Sequence, residues 1–385
     1  MTHDPIRKKA QRDLRLDMFR GLALMTIFIN HVPGNVLENY TSRNFGLSDA
    51  AEAFVFMSGI AVALASWTLV AAGRTGEAAA KLARRAGKLY IYHIAGMMVA
   101  LGFIAITWYG FGVHEFGERV NFAPVAETPF KALVIGMPML GYQIGYYNIL
   151  PLYMLFLLMA PAMLWLGRRS IPLLLTLSGA LWLVAFEAGL NMPNFPQEGG
   201  WFFHPFGWQF LFATGIAAGI AKKQGRALVA FRPWLYALAL AWLVWCYWFL
   251  LQEWGWLPLD GTLPVFVTYL DKSHLALPRM VHLLALAYVL VNLPGMARLA
   301  ASRLMAPVAA MGRNGLELFA FGSVLAIGLQ AVFAVLPAPA WAVTFAVVAG
   351  IAVQMGVAAL LDRRKDGRKA AAAGTMPAGA LAARA

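Results

Sequence analysis

Ten apolar stretches recur along this chain, each long enough to cross a hydrocarbon core of ~30 Å as a helix. They lie at about 17–37, 50–72, 88–110, 147–167, 171–191, 205–222, 231–252, 278–297, 307–331 and 339–361. No soluble core absorbs that many such segments. The expectation is an all-α, polytopic transmembrane helix bundle of about ten spans. Composition agrees: 61% of residues are hydrophobic, only 13% are charged, and mean hydropathy is +0.65. A soluble domain is nearer ~25% charged.

The basic residues fix an orientation. Arg7, Lys8, Lys9, Arg12 and Arg15 precede the first stretch, and Arg74, Lys81, Arg84, Arg85 and Lys88 follow the second. Later clusters are Arg168 with Arg169, the group from Lys222 to Arg232, Arg298 with Arg303, and the tail around Arg363–Lys369. The other side keeps Arg43, Arg119, Lys131, Lys272 and Arg279. The positive-inside rule then puts both termini in the cytoplasm. Three regions follow: a basic cytoplasmic segment 1–16, a membrane domain 17–361, and a cytoplasmic, low-complexity tail 362–385 expected to be disordered. The net charge of +13 is spread in short clusters between apolar stretches, which argues against a nucleic-acid partner and for the lipid bilayer. The single cysteine, Cys246, excludes an intramolecular disulfide and a thiolate zinc site, and no metal is expected. The first stretch lacks a small-residue cleavage site and reads as a retained helix.

Ionisable groups at membrane depth are costly and mark candidate sites. Asp17, Arg20 and His31 lie on the first stretch. Eleven residues are about three helical turns, so Arg20 and His31 share a face, roughly 16 Å apart along the axis. That face would carry a cation at the inner headgroups and a base near the midplane. A neutral imidazole can take a proton from an attacking hydroxyl, and the amide of Asn30 beside it can steady an oxyanion. The alternative for both is an interhelical hydrogen bond. Pro33-Gly34 ends the helix just beyond, so a cavity from outside could reach His31. Gly21 allows close approach to the backbone beside Arg20. In SDAAEAFVFMSG (48–59), Ser48 and Asp49 read as helix caps, while Glu52 lies deeper and could orient His31 or pair with an arginine. Ser58-Gly59 reads as close helix packing.

The inner run RTGEAAAKLARRAGK (74–88) spaces Lys81, Arg84, Arg85 and Lys88 as a basic amphipathic surface helix. It suits anionic lipid or, more sharply, the phosphates of a nucleotide-bearing donor. Arg313 and Asn314 in MGRNGLELF (311–319) have similar potential. The outward loops 38–49, 111–146, 192–204 and 253–277 hold Tyr142, Tyr146, Tyr147, Trp201, Trp254, Trp256 and Asp260 among other polar residues. Such a surface suits carbohydrate, and interfacial anchoring alone also accounts for the aromatics. Asp49, His204, Trp208, Arg279 and His282 are the candidates for contact with an outer substrate, structural hydrogen bonding being the alternative for each.

LDMFRGLALMTIFINH contains Arg, ten residues, then His, which resembles the signature of the membrane acyltransferase-3 superfamily, and FVFMSG (54–59) resembles its second-span segment. A closer resemblance, distributed from the first stretch to the ninth, is to the OpgC family of glucan succinyltransferases. It rests on LSDAAEAFVFMSG, YYNILPLYMLFLLMAP (146–161), WFFHPFGWQFLFATG (201–215), LPRMVHLLALAYVL (277–290) and GRNGLELFAFGS (312–323). A shorter likeness of LDMFRG is to transmembrane acetyltransferases acting on heparan-type sugars. The resemblance implies a bacterial inner-membrane O-acyltransferase with an acyl-CoA donor, succinyl-CoA in the first instance, and a periplasmic glucan or other polysaccharide acceptor. It makes His31, Asn30 and Glu52 the catalytic candidates. Arg20, Asp17, Arg84, Arg85, Arg313 and Asn314 become the donor-binding ones. No cysteine lies near the motif, which favours direct transfer over a thioester-linked enzyme. The competing expectation is a transporter or flippase for a glycan, lipid or organic acid, its polar intramembrane residues lining a path.

Overall fold

Helix α1 (Leu14–Asn30) starts where Asp13 accepts the backbone N–H of Arg15, satisfying one orphan donor of the first turn. It stops because Pro33 disfavours helical backbone at Val32. His31 becomes the C-cap, and the Asn35 amide closes the end by donating to the carbonyls of Ile29 (3.0 Å) and Val32 (2.6 Å). The first span is therefore shorter than the expected 17–37, and His31 sits at the helix terminus rather than midway along a span.

The computed structural model describes residues 13–252 and 270–374. The basic leader before Asp13, the loop residues Trp254, Trp256 and Asp260, and the tail beyond Gly374 lie outside them. The other helices are α2 (Ala50–Ala71), α3 (Thr75–Ala105), α4 (His114–Arg119), α5 (Ala123–Glu127), α6 (Ile149–Arg169) and α7 (Ile171–Glu187). Then come α8 (Pro205–Lys223), α9 (Pro233–Leu251), α10 (Leu277–Asn292), α11 (Met296–Ala300), α12 (Ala306–Arg313), α13 (Gly315–Val335) and α14 (Ala340–Gly374). Among the described residues no strand forms, only an isolated bridge between Pro193 and Gly200.

Six helical segments are long and apolar enough to cross a membrane: 50–71, 75–110, 149–169, 233–251, 315–335 and 340–367. Helices α7 and α10 are apolar but shorter. The faces of α9 and α14 that turn away from the bundle are apolar as well, with Trp234, Val244, Trp341 and Phe345 exposed. In water such surface would be a liability, and in lipid it is the expected boundary. The molecule is a membrane protein.

Three further boundaries differ from the sequence expectation. No separate surface helix forms at 74–88: α3 runs unbroken into a π-helical turn at Ile106–Gly110, because nothing in that stretch breaks a helix. The expected span 307–331 is cut at Asn314 into α12 and α13. The last helix continues past 361 to Gly374, so that Asp362 and Lys365, expected in the tail, are helical.

Small residues bring the backbones together. A Cβ on Gly59 of α2 would collide with the carbonyl of Phe212 on α8, and one on Gly215 of α8 with the carbonyl of Phe56. The expected close packing at Ser58-Gly59 is therefore seen, against α8. Likewise Gly21 of α1 meets the Val308 carbonyl of α12, and Gly312 of α12 meets the Asp17 carbonyl of α1. Around these contacts Phe156, Trp208, Phe212 and Leu89 form a buried core. Gly59→Leu should thus separate α2 from α8, costing about 1–3 kcal/mol or more. Thermal melting of the monodisperse protein in detergent reads this, with Gly87→Ala, whose Cβ meets open space, as the control. A wild-type melting temperature for Gly59→Leu would mean the α2–α8 contact is not a close one.

Candidate functional site

Two clusters of polar side chains lie at opposite ends of α1. At the C-terminal end the His31 ring stacks on Tyr146, centroids 3.7 Å apart and planes within 11°. Its backbone carbonyl accepts a 2.7 Å hydrogen bond from Nε2 of Gln330 on α13. Among the described residues no side chain bonds its ring nitrogens, so the imidazole is held by stacking and left open for a ligand. The Asn30 amide is 2.8 Å from the Thr41 hydroxyl, which also reaches the Glu38 carbonyl. Lys272, Asp49 and Arg43 are close enough to act on His31 electrostatically.

Beside it, α2 and α10 are joined by charge. Asp49 caps α2, accepting from the Ala51 N–H at 2.8 Å, while Glu52 closes a capping box by accepting the Asp49 N–H at 3.0 Å. The other Glu52 oxygen accepts from Arg279 Nε (2.8 Å) and Nη2 (2.5 Å). Glu52 is fully buried, and the Arg279 side chain is 14% exposed. Lys272 pairs with Asp49 at 2.5 Å. Of the two roles open to Glu52, pairing with an arginine is the one present. Both its oxygens are occupied there, and it does not reach His31. His282 turns elsewhere than Arg279: its Nδ1 lies 2.7 Å from the Ser48 hydroxyl, and Gly46 packs against the opposite edge of its ring.

The loop before α10 is tied to α8. The buried Trp208 indole donates to the carbonyls of Lys272 and Ser273, both at 3.0 Å. Trp208 is fully buried and presents no face on which a sugar could stack. His204 packs on His274 at 3.6 Å, and His274 bonds Asp271 at 2.6 Å. Burial, reinforced by His274 and opposed by Asp271, pushes the His204 pKa down to about 4. Tyr142, Tyr147 and Trp201 are buried in the protein, so they do not anchor an interface.

At the other end Arg20 lies over Gly315, the first residue of α13: a Cβ there would stand 2.8 Å from its Nη2. Asp17, one turn earlier, is buried. The α12–α13 break thus brings the MGRNG motif to Arg20. Asn314 is fully buried and donates to the Ala310 carbonyl (2.9 Å) and to Asp362 (2.8 Å), while Lys365 donates to its side-chain oxygen (2.5 Å). Arg313 forms an ion pair with Asp362 at 2.7 Å. Both are therefore engaged by α14. Lys88 on α3 reaches Glu317 on α13 at 2.7 Å, so Arg84 and Arg85 belong to this same end. Arg84 is exposed, whereas Arg85 lies 5.6 Å over the Tyr153 ring.

Along α1 from Leu24 to His31 lies a narrow crevice, lined also by Ile27 and Phe28, by Leu318, Phe319, Gly322 and Ser323 of α13 and by Gln354 of α14. Its free volume of about 10 Å³ admits one water molecule. Among the described residues no three His, Cys, Asp or Glu converge as a metal ion requires. In the sequence Lys272 counts only toward orientation and Tyr146 only toward the loop aromatics, while Gln330 and Asp362 carry no expectation of their own. An amide such as Gln330 in an apolar helix is the signal that could have found one of them.

Fold and site together define a membrane-embedded helical bundle with an accessible imidazole at one end and a guanidinium at the other. The chain belongs to the OpgC protein family, whose model matches residues 12–366, nearly its whole length. No curated protein is significantly similar to it. Family membership implies a glucan-modifying membrane acyltransferase.

Proposed function

We propose that the protein is an inner-membrane O-acyltransferase that moves an acyl group, succinyl in the first instance, from cytosolic acyl-CoA to a hydroxyl of a periplasmic glucan. The observation that carries this reading is α1 itself. One helix of 17 residues holds Arg20 against the α12–α13 break and His31 at its far end, with a narrow crevice along Leu24 to His31. The proposed arrangement has ten spans and both termini inside, α1 and α8 completing the set.

In this reading the donor enters at the Arg20 end, where Arg84 adds an exposed cation for its phosphates. The acyl-pantetheine arm follows the crevice, which must widen for it: α1 and α13 part to admit a chain. The glucan hydroxyl arrives at His31 from outside. His31 takes its proton as the oxygen attacks the thioester carbonyl, and the C–S bond breaks to release the thiolate of CoA, which regains a proton. Asn30 stabilises the oxyanion formed on the way. Asp49, Lys272, Glu52 and Arg279 fix the α2–α10 wall beside the imidazole.

The test uses purified protein in nanodiscs with radiolabelled succinyl-CoA or acetyl-CoA and isolated periplasmic glucan. Label is expected on the glucan from one donor. If neither donor labels any glycan offered while the protein moves glycan across a vesicle, the enzyme reading falls and a transporter takes its place.

A further inference from the structure

Beyond His31 the chain turns away through Val32, Pro33 and Gly34, and these residues form one edge of a cavity of about 390 Å³. That volume is within the ~300–1,000 Å³ typical of small-molecule sites. Its other walls are α4, the end of α13 and the start of α14. Gln330 lines it and is 4% exposed. Its Nε2 holds the His31 carbonyl, while its Oε1 is buried with no hydrogen-bond partner. A buried acceptor left unpaired costs roughly 1–3 kcal/mol and calls for a donor from elsewhere.

We infer that this cavity is the binding subsite for the acceptor sugar, with a ring hydroxyl donating to Gln330 Oε1 next to His31. The chemistry of the walls selects the ligand. Glu115 and Arg119, one turn apart on α4, stand exposed at the mouth and offer an acceptor and a donor to neighbouring hydroxyls. Phe333, partly exposed on its wall, gives apolar surface for the C–H face of a pyranose. An acyl chain would leave the buried Gln330 Oε1 without a donor, and an unprotonated phosphate would set another acceptor against it. A neutral polyhydroxylated ring donates to Gln330 Oε1 and to Glu115 and accepts from Arg119. This site rests on the acyltransfer reading above and adds to it where the glucan sits.

The experiment measures binding of isolated periplasmic glucan to the full protein in nanodiscs by intrinsic fluorescence, together with KM for glucan and for the acyl-CoA donor. Gln330→Leu should weaken glucan binding and raise KM for glucan at least tenfold. Ala334→Phe, which fills the cavity without touching the Gln330–His31 bond, should do the same while leaving KM for the donor at the wild-type value. If wild type transfers label but both Gln330→Leu and Ala334→Phe keep wild-type affinity for glucan, the subsite is wrong and the acyltransfer reading stands. If wild type neither binds glucan nor labels it, both fall together.

Discussion

Replacing His31 with alanine is expected to lower the rate of acyl transfer by about 10²–10⁴-fold, the contribution of a positioned general base, with donor affinity unchanged. The expectation follows from how the ring is held. Tyr146 stacks on it at 3.7 Å and fixes its plane, Gln330 fixes its backbone, and the ring nitrogens are left for a substrate. His282, by contrast, is engaged, its Nδ1 2.7 Å from the Ser48 hydroxyl in the loop before α2. Single-turnover transfer from labelled acyl-CoA to glucan, with donor affinity measured alongside, separates the roles. A fall in rate at constant affinity fits the base; an unchanged rate would remove His31 from the chemistry. A burst of acyl-enzyme before product would replace direct transfer with a covalent intermediate on the protein.

The Arg20-to-His31 spacing could be read along the chain because it depends on one local element. Helical periodicity puts both on one face, and Pro33 ends the helix where it does. The caps at Asp49 and the small-residue contact at Gly59 were legible for the same reason, each following from the backbone needs of a few neighbouring residues. Partners far apart in sequence were not. Glu52 and Arg279 both stand out as candidates, yet nothing in either segment says which cation meets which anion across 227 positions. Aromatic content is ambiguous in another way. Tyr142, Tyr147 and Trp201 suit an interfacial belt and a protein core equally, and only packing places them inside. Asn314 reads in sequence as a candidate phosphate contact. That it interrupts the span depends on the last helix, whose Asp362 and Lys365 bind its side chain.

Removing Glu52 should cost the protein more than removing Arg279, and removing both should cost less than the sum. Breaking a buried ion pair by deleting one partner typically destabilises by roughly 3–5 kcal/mol, because the remaining charge stays desolvated. Here the two cases are not symmetrical. Asp49, Glu52, Lys272 and Arg279 form a neutral set in which each anion meets a cation. Glu52→Leu leaves a guanidinium that cannot lose its proton, with only Asp49, 3.9 Å away and already paired with Lys272, to compensate it. Arg279→Met leaves a buried carboxylate, which can bind a proton and become neutral. The double variant leaves no unpaired charge at that position, and the α2–α10 contact becomes apolar. Thermal melting in detergent of the two single variants and the double one therefore gives a cycle with a strong favourable coupling between the sites. Additive losses would mean that the pair contributes nothing as a pair. A recovered melting temperature in the double variant with transfer still lost would place the pair's value in the wall it builds beside His31.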